Sequence, residues 1–311
     1  MNIADVCEDI RSMKVRGAAN IAVAAAQALA DFSKSYNGPG KDASGFYHDL
    51  SEAARQLLGT RPTAVSLHNA IFFIMTKIDK DRLSSMSRSE VRDRVVAVSE
   101  QFIRASNEAK ARIAEIGAKL ITDGDVIHTH CNSSVALGIF FKAHAAGKSF
   151  RVISSESRPR FQGRITVKQL AEKGIPVTMI VDSAVHHFMP KVDKVFVGAD
   201  SINSIGEVYN KIGTSQVALI AYEANRPFYV CAETYKFAAR TLTGDDIEIE
   251  ERAMTEVADP KEFPGVEIKN PAFDITPPKH ITGIITEMGI IPATGAFNIV
   301  QQLYGLGRLE L

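Results

Sequence analysis

The chain has 311 residues, 45% hydrophobic and 23% charged, with 36 Lys and Arg balanced by 36 Asp and Glu. That length suits two domains, or one large α/β domain with an added subdomain, in an ordinary globular composition. Zero net charge removes any global electrostatic argument for a nucleic-acid or membrane partner, so an anion site must be local.

The three cysteines, Cys7, Cys131 and Cys231, are far apart and form no CxxC pair, which argues against a disulfide framework or a structural zinc cluster. A reducing cytoplasm is expected. The opening MNIADVCEDIRSMKV mixes charges among its apolar residues, and no uninterrupted apolar run is long enough to span a membrane. Neither a signal peptide nor a transmembrane helix is expected.

Residues 1–122 read as a helical domain. GAANIAVAAAQALADF, from Gly17 to Phe32, is alanine-rich, strongly helix-forming and low in polarity, which predicts deep packing. Gly and Pro in Ser35 to Gly45 predict a loop, and Phe46 to Leu58 a helix stopped by Gly59. Pro62 is expected in the first turn of a helix running through Ile78. From Ser89, apolar residues at steps of three or four (Val91, Val95, Val98, Phe102, Ala105, Ala109, Ile113, Ile116, Leu120) predict one long amphipathic helix. Thr122-Asp123-Gly124 ends it, and the domain boundary is placed there.

Residues 123–311 change character. Short β-rich runs at Val126–Thr129, Phe150–Ser154, Val177–Val181, Lys194–Val197, Pro227–Cys231 and Ile281–Thr286 alternate with helical patterns at Val135–Ala146, Thr166–Lys173, Ser183–Phe188 and Ser215–Ala224. This alternation predicts an α/β fold, a parallel sheet wrapped by helices with ligand chemistry at the carboxyl ends of the strands. The GxGxxG and GxxxxGK[ST] fingerprints are both absent.

The stretch DVIHTHCNSSVALGIFF, Asp125 to Phe141, is a strand entering a helix with Cys131 at the turn. Unpaired N–H groups at a helix start favour a thiolate or phosphate nearby, so a depressed pKa is expected for Cys131, with Asn132, Ser133 and Ser134 adding caps and donors. A small apolar filler at a strand end is the plainer alternative. Asp200 follows the apolar strand of KVFVGAD on the same rim, where lost solvation should raise its pKa; an Asx-turn or cap is the alternative. A thiolate and a carboxylic acid acting on a small substrate from opposite sides suit isomerisation.

Four places offer anion recognition: Arg16, Gly17, Ala18 and Ala19 at one helix start, Arg61 at another, Asn210 and Lys211 ahead of a third, and Lys236 after the strand ending at Cys231. Each alone reads better as a solvated charge or an ordinary cap than as an anion site, but four together on a net-neutral chain point more to a substrate with two phosphates than to one. Arg158, Arg160 and Arg164 in ESRPRFQGR are expected to face the rim too, where guanidinium forks suit phosphate. His128 and His130 on one strand face, with His186 and His187 further on, make zinc conceivable, but no acidic partner has a readable ligand spacing.

HTHCNSS, ESRPRFQGR, VFVGADSI, NKIGT, ETYKF and NPAFDITPP together resemble the sugar-phosphate isomerase family that also contains the regulatory subunits of the eukaryotic exchange factor for translation initiation. Within it the pattern is most similar to the archaeal branch acting on ribose 1,5-bisphosphate, in a route from AMP to the substrate of RuBisCO. The resemblance implies a helical N-terminal domain followed by a Rossmann-like parallel-sheet domain, and a homo-oligomer, a dimer or a trimer of dimers. It places the catalytic pair on Cys131 and Asp200 and sugar-phosphate contacts on Arg16 to Ala19, Arg61, Asn132, Ser133, Ser134, Asn210, Lys211 and Lys236. No metal or redox cofactor is implied. The regulatory subunits typically lack the Cys and Asp pair, and the methylthioribose-1-phosphate branch tends to read TCNTG where this chain has HCNSS. A monophosphate isomerase and a non-catalytic subunit that binds a sugar phosphate or nucleotide are the alternatives.

Overall fold

The computed structural model describes residues 2–38, 42–78, 80–243 and 247–304. The chain divides inside its longest helix into two compact units, Met1–Glu108 and Ala109–Leu311.

The first unit is helical: α1 (Ile3–Arg11), α2 (Ala18–Lys34), α3 (Ala43–Leu58), α4 (Val65–Met75) and the start of α5 (Arg88–Ala118). Local chemistry sets the starts. Asn2 and Asp42 side chains accept backbone N–H groups of Ala4 and Gly45, and Ser87 with Glu90 forms a reciprocal capping box ahead of α5. The alanines of α2 let α4 come close, and Ser66 Oγ in α4 donates to the Ala18 carbonyl at 2.8 Å. The helix expected from Pro62 starts at Val65 instead: residues 61–64 close a turn in which the Ala64 N–H donates to the Arg61 carbonyl, leaving Pro62 outside. Of the loop expected over 35–45, residues 39–41 lie outside the described residues, and α3 has already begun at Ala43.

The second unit holds a seven-stranded sheet in the order β10-β9-β7-β4-β1-β2-β3: β1 (Val126–Thr129), β2 (Arg151–Ser155), β3 (Val177–Ile180), β4 (Lys194–Gly198), β7 (Phe228–Cys231), β9 (Gly283–Thr286) and β10 (Gly289–Ile291). All pairings are parallel except β9 with β10. Helices α6 (Ser134–Ala145), α7 (Gln162–Glu172), α8 (Val185–Phe188), α9 (Thr214–Glu223) and α10 (Ala296–Tyr304) complete the wrapping. Strand alternation splits the core in two. Val195, Val197, Val230 and Ile284 pack on one face, and Ile127, Val152, Phe196, Cys231 and Ile285 on the other beneath α6. From β1 the chain winds outward through β2 and β3, then returns to place β4 on the other side. The switch point therefore lies between β1 and β4.

A second, antiparallel sheet of β5 (Ser201–Ile202), β6 (Val208–Lys211) and β8 (Phe273–Thr276) was not foreseen from sequence. Its strands are short and its β6–β8 pairing joins residues some sixty positions apart, for instance Asn210 with Asp274. No helix among the described residues is long and apolar enough to cross a membrane.

Candidate active site

Cys131 and Asp200 stand beyond the carboxyl ends of β1 and β4, the two strands that flank the switch point. The start of α6 leans on the end of β4: a Cβ built on Gly198 would lie 2.5 Å from Ser133 Oγ, so a side chain there would push the cysteine turn away from the Asp200 segment. Asp200 is held through its backbone, its N–H donating to the Tyr209 carbonyl at 2.9 Å.

The cysteine turn is tied on every side. Cys131 has a left-handed φ of 67°, its N–H donates to Ser157 Oγ at 2.8 Å, and its carbonyl accepts from Thr166 Oγ1 at 2.7 Å. The Asn132 amide donates to Thr166 Oγ1 and Gln169 Oε1 in α7, and Ser133 caps α6 by accepting the Ala136 N–H; Ser134 is exposed in the first turn.

The thiol is the opposite of what the sequence suggested. Burial pushes the Cys131 thiol up to about 11, against the downward pull of the Lys211 ammonium and the Asn132 backbone N–H, while the Asp200 and Asp182 carboxylates push it further up. Cys131 lies two residues before the α6 cap, where the helix-end field has weakened and Ser133 already serves the first turn. Lys211, Asp200 and Asp182 are thus the charged side chains whose fields reach the sulfur.

Lys211 ends β6; its Nζ donates to the Ala272 carbonyl at 3.0 Å and lies 4.9 Å from the Phe273 ring centroid. Asn210 is buried and donates to Thr214 Oγ1. The α9 start that follows them is already occupied by an anion. Asp274 accepts the N–H of Gly213 at 2.7 Å and of Ser215 at 3.1 Å, and burial nonetheless raises its pKa. This acid, sixty residues away in sequence, was missed; its position in NPAFDITPP next to an apolar strand gave no local sign of a cap.

The remaining expected groups divide. Lys236 lies in a buried ion pair with Glu233 at 2.9 Å, close to Cys231, whose thiol burial raises. The Arg158 guanidinium donates to the Val257 carbonyl and lies over the Phe161 ring; Arg160 pairs with Glu256, and Arg164 with Glu156. Arg158 and Arg160 are thus tied to the remote Val257 and Glu256, and only Arg164 finds its charged partner within its own loop. Arg16 to Ala19 and Arg61 belong to the first unit. There Arg16 is exposed, Gly17 takes a φ of 85° ahead of α2 with nothing near its missing Cβ, and Arg61 precedes α4, whose start is bonded to the start of α2 through Ser66. His128 and His130 are buried and bonded within the second unit, while His186 and His187 are exposed on α8. No group of three or more His, Cys, Asp or Glu side chains that could hold a metal ion occurs among the described residues.

Residues 14–293 match the Initiation factor 2 subunit family. The chain is 49% identical over 310 residues to a ribose 1,5-bisphosphate isomerase of Archaeoglobus fulgidus, covering 99% of this chain and 95% of that protein. Two solved structures share the fold: 5-methylthioribose 1-phosphate isomerase of Pyrococcus horikoshii (TM-score 0.81, 32% identity, 97% of this chain and 88% of that one) and translation initiation factor eIF-2B of the same organism (TM-score 0.78, 32% identity, 93% and 96%).

Proposed function

The chain belongs to the Initiation factor 2 subunit family, and we propose that it is an aldose–ketose isomerase that converts α-D-ribose 1,5-bisphosphate to D-ribulose 1,5-bisphosphate. The observation that carries this reading is the position of a cysteine and an aspartate beyond neighbouring strand ends at the switch point, with a lysine whose charge acts on the thiol. The name borne by its relative at 49% identity supports the substrate.

The substrate carries a phosphate on C1, so it has no free aldehyde and must open its ring with that ester in place. Asp200, as the acid, donates a proton to the ring oxygen while the Cys131 thiolate removes the C2 proton, leaving a phosphorylated enol. Asp200 then takes the O2 proton and Cys131 returns one to C1, giving the ketose. Because burial holds the resting thiol near 11, the working thiolate depends on the Lys211 ammonium, which favours charge on sulfur. Preorganised donors of this kind commonly contribute about 3 kcal/mol each to the transition state. The phosphates are assigned to Arg16, the backbone of Gly17 to Ala19, Arg61, Arg158, Lys211 and Lys236, with Asn132, Ser133, Ser134 and Asn210 at the sugar. On this reading the enzyme works in the cytoplasm as a homo-oligomer, in AMP degradation feeding RuBisCO, as in the archaeal branch that its motifs resemble.

Proton NMR of the purified protein with α-D-ribose 1,5-bisphosphate, beside methylthioribose 1-phosphate, tests it. The bisphosphate alone should become a ketose. Turnover of the monophosphate instead would move the assignment to the methylthioribose branch, and turnover of neither to a regulatory subunit.

A further inference from the structure

His130 immediately precedes Cys131 and is 2% exposed, yet both ring nitrogens are bonded. Its Nε2 lies 2.8 Å from the Ile212 carbonyl, which only accepts, so the proton sits on Nε2. Burial lowers the imidazole pKa, so the ring is neutral and Nδ1 must accept; Ser155 Oγ donates to it at 2.9 Å. The charged and titratable groups around the ring are His128 on its own strand, Asp182 after β3, Lys211 at the end of β6 and Asp274 on β8.

The bond to Ile212 joins two segments that no backbone ladder connects. One is the β1 end that carries Cys131, in the seven-stranded sheet. The other is the β6 end that carries Lys211, in the three-stranded sheet. Gly213 closes over the ring with a φ of 100°, and a Cβ there would lie 3.1 Å from His130 Cε1 and Nε2, so the segment is fitted to an imidazole at this depth.

We propose that His130 is a positioning residue: as the neutral Nε2–H tautomer it clamps the Lys211–Gly213 segment to the cysteine strand, holding the Lys211 ammonium where it favours a thiolate on Cys131. The consequence for turnover rests on the isomerase reading above; the consequence for thiol reactivity does not.

The test compares the full-length protein with His130→Leu, which fills similar space without a donor, and His130→Gln, whose amide can donate to Ile212. Iodoacetamide alkylation of the Cys131 peptide is followed by mass spectrometry from neutral to alkaline pH, and kcat and KM are measured with the bisphosphate. In His130→Leu, alkylation at about pH 9 should slow about tenfold, and kcat should fall about tenfold or more with KM within about threefold, the scale of a buried carbonyl losing its donor. Gln should restore both. A folded Leu variant with unchanged alkylation, or a folded Gln variant as impaired as Leu, overturns the proposal. If His130→Leu does not fold, Gly213→Ala presses a methyl on the ring and should slow alkylation in the same way; unchanged alkylation there overturns it equally. Should the wild type turn over no sugar, the isomerase reading fails while the alkylation comparison still decides the clamp.

Discussion

The backbone N–H of Cys131 donates to Ser157 Oγ at 2.8 Å, and both residues hold left-handed backbone, with φ of 67° and 61°. Neither is glycine, and each such residue costs about 1–3 kcal/mol unless its surroundings over-determine it. Here Asp182 supplies that support, accepting the N–H of Ser157 at 2.8 Å and of Arg158 at 2.7 Å. Ser157→Ala removes the acceptor from the Cys131 N–H, and should cost about 1–3 kcal/mol of stability by urea denaturation. A loss within error would mean that the turn holds its shape without that hydroxyl.

Cys131→Ser keeps size and hydrogen bonding but replaces the thiol by a far weaker acid. On the proposed chemistry, turnover falls below detection while calorimetry still records bisphosphate binding. A serine variant that retains isomerase activity would remove Cys131 from proton transfer.

Asp200→Asn should separate two effects usually expected to move together. Its carboxylate helps push the Cys131 thiol up, so the amide should make alkylation of Cys131 faster at a given pH. On the proposed chemistry turnover should nevertheless collapse, because the ring oxygen loses its acid. Unchanged alkylation would show that the carboxylate lies too far from the sulfur to matter.

Glu233 is fully buried, and the Lys236 ammonium holds its carboxyl below the usual carboxylate range despite burial. Glu233→Gln leaves the Lys236 charge unpaired in the interior and should destabilise by about 3–5 kcal/mol. A Glu233→Gln, Lys236→Met double variant should recover much of that loss in denaturant melts; no recovery would mean that the pair is not the source of the cost.

His128 is buried, and burial brings its pKa down to about 3, with His130 also lowering it. The unfolded chain binds the proton near pH 6.5 and the folded chain does not, so stability is fully present above 6.5. It is lost as pH falls from there to about 3, by an amount on the order of 4–5 kcal/mol for this residue. His128→Gln should flatten that limb in pH-dependent urea melts. An unchanged slope would assign the acid sensitivity to other groups.

Much of the fold is local and therefore legible. The three-or-four spacing from Val91 to Leu120 appears as α5, and the runs at Val126, Lys194 and Phe228 appear as β1, β4 and β7 within a residue or two. Cys131 and Asp200 stand after strands because the short β-rich runs before them form buried strands, and parallel alternation sends such ends to one rim. What sequence spacing does not carry is which strand ends become neighbours, and which charges meet. The order that sets β4 beside β1 brings Cys131 and Asp200 together. Packing alone desolvates the thiol and reverses its expected shift. Partners remote in sequence claim groups that looked free: Asp274 takes the start of α9, and Val257 with Glu256 takes Arg158 and Arg160. Periodicity reports which face of an element is apolar, but desolvation and pairing depend on atoms brought together across the chain, and those only the tertiary structure decides.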